Sequence, residues 1–295
     1  MNHAINHTVL MSGADFFDDN SPINPYMDNR VPVNRRAAQA EHERIRGALE
    51  NAGVTVHKIA PPAGCQDGVY TANWALVRGD TAVLARLPNA RENEQPAAEQ
   101  ALRSLGKNIV YVPEGLHFSG QGDALPCGNF LFAGQGYRSD AEAQAFAAKT
   151  LGYKLVQLQT VPLLDEHGTP VINQSSGWPD SFFYDIDLAL AVLRGPLGGK
   201  PGLIAWCPEA FTPESQAILR GFNKVEKIEV RLTEAQAGFA CNLVSTGETV
   251  VMSGHAPQFK AALEARGFTV VSPDVQELLK GGGFIRCTTL TLDNE

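Results

Sequence analysis

The sequence predicts an α/β fold assembled from about five repeated units in one continuous body, and two observations carry that prediction. A strand or hairpin, then a helix, then a strand recurs along the 295 residues, and no linker or composition shift separates one recurrence from the next. The helical segments are rich in Ala, Glu, Gln and Arg, whereas the segments between them are short, β-branched and often alternating. A single domain over 1–295 is therefore expected rather than two.

In chain order, "HTVLMSG" (7–13) reads as a short buried strand and "SPINPYMD" as a turn-rich loop. Helical spacing over 35–52 ends at Gly53 and gives way to the strand "VTVHKI". The segment 71–87 reads as a hairpin turned at Gly79-Asp80, followed by the helix "EQPAAEQALRSLG" and the strand "NIVYVP". The same rhythm returns in "NFLFAGQG", "DAEAQAFAAKTLG" and "KLVQLQTV", then in "LIAWCP", "TPESQAILRGF" and "KIEVRL". It appears a last time in "ETVVMSG", "APQFKAALEARG" and "FTVVSP". One aperiodic stretch, "LDEHGTPVINQSSGWPDSFF" (164–183), reads as a surface excursion placed to cover a cleft.

A 44% hydrophobic share, 19% charged residues, 28 Gly and 18 Pro describe a soluble globular chain rich in turns. The net charge of −8 and the absence of a basic patch exclude nucleic acid or an anionic membrane surface as the main partner. They suit a small cationic ligand. The N-terminal stretch has no basic region leading into a long apolar run, and no apolar run approaches the ~20 residues of a membrane span. Five scattered cysteines without a CxxC pair predict a reducing cytoplasm, with neither a disulfide framework nor a structural zinc site.

Ligands of α/β proteins gather at strand ends, so polar residues there are the candidates. Asp67 and Asn73 flank an apolar strand; His117 and Ser119 are two apart and share a face if extended; a Gly-x-Gly turn leads to Asp123. Asp185 and Asp187 stand at the mouth of "LALAVL", and Cys287 closes "KGGGFIRCTTLTL" after three glycines. Taken singly, each has a structural alternative: a turn-forming or capping aspartate, a packed histidine, an inert buried thiol. Together, a thiol with nearby carboxylates and an imidazole has the parts for thiolate attack on an sp² carbon.

The segments "INPYMD", "DGVYTAN", "FSGQGDAL", "AGQGYRSD", "FYDIDLALAVL", "GFACNLV" and "LLKGGGFIRCTTL" resemble, in order, those of the guanidine-modifying superfamily. That family includes amidinotransferases, arginine deiminases, dimethylarginine dimethylaminohydrolases and arginine dihydrolases. The resemblance implies the pentein fold, five pseudo-symmetric ββαβ units around a channel. It makes Cys287 a nucleophile that forms a covalent thiouronium with a guanidinium carbon, with no metal or organic cofactor. It makes Asp67 and Asp123 acceptors for substrate, Asn73 and Asn24 pocket neighbours, Asp187 an orienting carboxylate, and Arg91 and Arg138 grips for a substrate carboxylate.

Two departures stand out. Asp185 occupies the place of the family's usual histidine, and Ser119 that of a glutamate. The first puts the proton path in question, to be supplied by Asp185 or by His117; the second relaxes selectivity for plain arginine. The function implied is hydrolysis of a C–N bond in an arginine-like guanidino or ureido compound. A silent pentein that binds an amino acid or a partner, and an amidinotransferase, are the alternatives. A small molecule is the expected partner, and the sequence leaves assembly into a homo-oligomer open.

Overall fold

The computed structural model describes residues 5–28, 30–174 and 177–294. Five sheets of three strands are arranged so that each is one unit of the repeat. The first runs through β1 (Thr8–Met11), α1 (Arg35–Asn51) and β2 (Thr55–Lys58). In the second, β3 (Ala75–Arg78) and β4 (Thr81–Leu84) form a hairpin, then come α2 (Gln95–Ser104) and β5 (Asn108–Tyr111). The third is β6 (Ala124–Cys127), β7 (Phe130–Gly134), α3 (Ala141–Leu151) and β8 (Lys154–Leu158). The fourth is β9 (Leu190–Arg194), β10 (Gly202–Trp206), α4 (Pro213–Gly221) and β11 (Val225–Glu229), followed by the short α5 (Leu232–Gln236). The fifth is β12 (Val244–Ser245), β13 (Thr249–Val251), α6 (Pro257–Glu264) and β14 (Thr269–Val271). The last strand, β15 (Leu290–Thr291), returns to pair antiparallel with β1 and supplies the first unit's missing strand.

The local sequence accounts for these elements. Asn34 accepts a hydrogen bond from the Ala37 amide and starts α1, while α3 ends on Gly152 in the left-handed conformation, φ +71. The β3–β4 hairpin turns on Gly79-Asp80 with Gly79 at φ +53. The helix faces bearing Ala38, Ile45 and Leu49, or Ala143 and Ala147, are buried. In every sheet the middle strand pairs antiparallel with one neighbour and parallel with the strand after the helix.

That topology gives the molecule two ends. Strands β3, β6, β9, β12 and β15 begin at one end, where β1, β4, β7, β10 and β13 finish. Side chains just before the first group and just after the second therefore converge there. No helix among the described residues is long and apolar enough to cross a membrane.

Candidate active site

A polar residue stands one to three positions before each of β3, β6, β9, β12 and β15: Asn73, Asp123, Asp187, Asn242 and Cys287. All five are buried. Four are residues the sequence reading singled out; Asn242 is not, although the repeat itself, which puts a polar group at each of these positions, points to it.

The three glycines before Cys287 are each required by what lies against them. Gly282 has φ +81, and a Cβ there would sit 2.8 Å from Cγ of Asn24. A Cβ on Gly281 would meet the ring of Phe17 at 2.7 Å, and one on Gly283 the ring of Tyr70 at 2.5 Å. Asn24 donates to the Gly281 carbonyl (2.9 Å), Tyr70 to that of Leu278 (2.6 Å) and Tyr184 to that of Gly282 (2.7 Å). Glu41 of α1 anchors the segment from behind by accepting the amides of Gln276, Glu277 and Leu278. The bare backbone is thus a strip laid flat on three aromatic rings, which fixes the turn that follows it.

In that turn Cys287 is 2% exposed. Asn242 Oδ1 accepts the amides of Phe284 (3.1 Å) and Cys287 (3.2 Å), while its Nδ2 donates to Cys287 Sγ at 3.1 Å. The thiol donates to Asp187 Oδ2 at 3.4 Å. Oδ1 of Asp187, although buried, has no hydrogen-bond partner. Burial pushes the Cys287 thiol well above its ordinary range, and the charges of Asp187 and Asp185 push in the same direction. Asp187 is likewise raised by burial and then by Asp185, with the charge of Arg286 opposing.

Asp185 is held very differently. It accepts from Asn73 Nδ2 (2.8 Å), Ser119 Oγ (3.0 Å) and Arg138 Nη1 (3.4 Å). Asn73 Nδ2 also lies 2.9 Å from Ser119 Oγ. The two departures from the family pattern, 66 residues apart, therefore form one hydrogen-bonded pair. Gly122 makes room for it, since a Cβ there would come 2.8 Å from Asp185 Oδ2. Asp123 clasps the same segment, accepting the Ile186 amide (3.1 Å) and Ser139 Oγ (2.8 Å). Burial, then the charge of Asp185, raises the Asp123 carboxyl well above the usual range.

Arg91 is buried and forked by Glu94 through Nε (2.8 Å) and Nη2 (2.9 Å), and its Nη1 donates to Asn73 Oδ1 (2.8 Å). It braces Asn73, with most of its donors engaged. Asp67 lies beside it, raised by burial to about 6 even with Arg91 near. Arg138, by contrast, lies 3.9 Å over the ring of Tyr184 and keeps Nη2 buried without a partner. Arg91, Arg138, Tyr137, Tyr184 and Asp180 line a narrow cavity at the mouth. Asp180 belongs to the excursion 164–183, whose residues 175–176 lie outside the described residues.

The structure does not bring His117 into this cluster. The chain leaves the extended conformation at Ser119 (φ −99, ψ 23), so the two side chains do not share a face. His117, with 36% of its side chain exposed, faces Asp140 at 3.5 Å and the edge of Trp178. Among the described residues no group of three or more His, Cys, Asp or Glu is placed to hold a metal ion.

A five-unit α/β ring with a buried thiol flanked by carboxylates at the entry end of its inner strands defines a cysteine enzyme of pentein architecture. Comparison with known proteins narrows the class. No family model matches, but the chain is 35% identical over 284 residues to the N(G),N(G)-dimethylarginine dimethylaminohydrolase of Mycobacterium tuberculosis, spanning 96% of this chain and 84% of that one. It is 30% identical over 285 residues to the bifunctional arginine dihydrolase/ornithine cyclodeaminase AgrE of a Nostoc species, covering 95% of this chain and 37% of that one. The crystal structure of the N-terminal domain of ArgZ, a cyanobacterial arginine dihydrolase, superimposes with a TM-score of 0.82 at 27% identity, over 97% of this chain and 98% of that domain. The chain belongs to the guanidine-modifying, pentein superfamily.

Proposed function

We propose that the protein hydrolyses a C–N bond of an arginine-like guanidino compound through a covalent intermediate on Cys287. One observation carries the reading: a buried carboxylate oxygen, Asp187 Oδ1, is left without a donor beside a thiol already hydrogen-bonded to that carboxylate. A buried acceptor left unpaired costs roughly 1–3 kcal/mol, and a guanidinium N–H offsets that cost. The relatives are named for action on dimethylarginine and arginine, and the ArgZ domain has also been crystallised covalently bound to a reaction intermediate.

In this reading the proton travels through Asp187 rather than through Asp185 or His117, and the hydrogen bonding supports it. Asp185 already accepts from three donors. A guanidinium entering beside Asp187 supplies the cation that the raised thiol and carboxyl lack, and it favours ionisation of Cys287 only when substrate is present. The thiol proton passes to Asp187 Oδ2 as the sulfur electron pair forms the S–C bond at the guanidinium carbon. The C–N bond to the leaving nitrogen breaks, and that nitrogen takes up the proton from Asp187. Water then adds to the thiouronium carbon, the S–C bond breaks, the sulfur regains a proton, and a ureido product leaves. Arg138, with its unpartnered Nη2 at the mouth, grips the substrate carboxylate, and Asp67 accepts its α-amine. Ser119 in place of a glutamate leaves room for a substituted nitrogen.

The experiment is incubation with arginine, methylarginines, citrulline, agmatine and guanidino acids, with mass spectrometry of the products and of the intact protein. An adduct on Cys287 and release of ammonia or an amine are expected, both abolished in Cys287→Ser. Retention of turnover in that variant would overturn the reading.

A further inference from the structure

At the far end of the channel lies a second cavity that the reaction does not use. It is lined by Ile5 and Asn6 ahead of β1, Asn294 beyond β15, Leu125 and Pro126 of β6, Ala191 of β9, and Arg286. Ile5, Asn6 and Asn294 place one side of it at the end of the ring away from the mouth, while Leu190, Cys241 and Arg286 bound it toward the strand starts. Its water-accessible volume is about 40 Å³, enough for two or three waters or one small ion.

Arg286 is the residue immediately before the nucleophile and is 6% exposed. Unlike Arg91, which has Glu94, and Arg138, which has Asp185, it has no carboxylate within 4.0 Å among the described residues. Its partners are neutral: Gln121 Oε1 (2.7 Å) on Nη2, Thr291 Oγ1 (3.0 Å) on Nη1, and a weaker contact to the Thr289 carbonyl (3.4 Å). These occupy only some of its five N–H donors. A buried cation that faces a polar cavity, with no carboxylate at ion-pair distance, is suited to receive an anion. Asn6, in the left-handed conformation at φ +55, fixes Thr291 by accepting from its Oγ1 at 2.5 Å, so Arg286 is held at the cavity by a framework and is not a loose side chain.

We propose that this far cavity is a binding site for a small monoanion at the guanidinium of Arg286, and that an anion bound there slows the chemistry of Cys287 from behind. The charge of Arg286 reaches both Asp187 and Cys287. An anion on Arg286 cancels that charge and leaves the thiolate facing carboxylates alone, so less of it forms at a given pH. The size limit selects chloride, nitrate or formate over gluconate or citrate. The proposal rests only on Cys287 being a titratable thiol and not on the substrate assigned above, so its failure leaves that assignment untouched.

The test is the rate of iodoacetamide labelling of Cys287 against pH, in the absence of substrate, at fixed ionic strength made up with sodium gluconate or with sodium chloride, nitrate or formate. The small anions are expected to slow labelling saturably, about three- to tenfold near neutral pH, by moving the labelling midpoint upward, a tenfold effect corresponding to one pH unit. Arg286→Gln is expected to label slowly in every salt, with no response to the anion. Equal rates for wild-type protein in all four salts overturn the proposal, as does an anion response that persists in Arg286→Gln. If that variant does not fold, Ala191→Leu, which fills the cavity and keeps the guanidinium, decides instead: it should keep the gluconate rate in chloride. Slowing by anions that disappears with Arg138→Gln but not with the far-side variants would place the anion at the mouth and refute the site.

Discussion

The two halves of the active site are finished to different degrees. Around Asp185 both carboxylate oxygens are engaged: Ser119 donates to one, Asn73 and Arg138 donate to the other, and Arg91 and Glu94 brace Asn73 behind it. Around Cys287 the scaffold is equally firm, with Asn242 tying the thiol to the glycine strip, yet Asp187 keeps one oxygen bare. A satisfied network resists change and contributes rigidity; an unsatisfied acceptor next to a nucleophile is where a substrate atom belongs. In the mechanism proposed above, Asp185 thus belongs to the rigid half, and the reaction falls to Asp187 and Cys287.

The largest expected break of this contrast is Asp187→Asn. The variant should fold and keep its melting temperature within a few degrees, while kcat falls by at least about 10³-fold, the upper range of removing a positioned proton carrier. A fall below tenfold in steady-state turnover would return the proton path to the other half. Next in size is the coupling between Asp185 and Ser119. Urea unfolding of Asp185→Asn, Ser119→Ala and the double variant should show each single change destabilising and the pair non-additive by about 1–2 kcal/mol, as expected for contacting groups. Additivity would mean that the two departures are independent.

Asp67 gives a pH-dependent effect with a definite sign. Its carboxyl is raised from 3.8 to about 6 in the folded protein, so it lends stability at low pH that is lost as pH climbs from about 4 through 6. That loss amounts to roughly 3 kcal/mol at full size. Asp67→Asn should therefore raise the melting temperature relative to wild type more at pH 7.5 than at pH 4.5, at the expense of substrate affinity. No difference between the two pH values would show the carboxylate to be solvated. The smallest effect belongs to His117→Ala, expected to change kcat by less than about twofold and stability by no more than about 0.5 kcal/mol, the scale of a surface change.

The five-unit organisation was legible because each helix ends at a glycine or a turn and each long segment keeps its period. The inner strands were less so: β12 and β15 have two residues each, too few for alternation to register, and they are placed by pairing with β13 and β1. Position and resemblance singled out Cys287, Asp187, Asp123 and Asn73, which the fold sets together at the strand starts. Asn242 was not, since an amide in an apolar stretch carries no local signal; its role emerges only when the five strand starts are set side by side. The Ser119–Asp185 pairing spans 66 residues and depends on Gly122 allowing close approach, which no local pattern encodes. His117 was misleading because a two-residue spacing implies a shared face only while the chain stays extended, and it turns at Ser119.

The pairing of β15 with β1 sets Val9 opposite Thr291. During synthesis the first strand emerges before the four units that follow it, and it must wait for the segment carrying the nucleophile before its sheet is complete. The sheet that closes the ring is therefore completed by the segment that presents Cys287, so the pairing of the two strands and the placement of the thiol are set together.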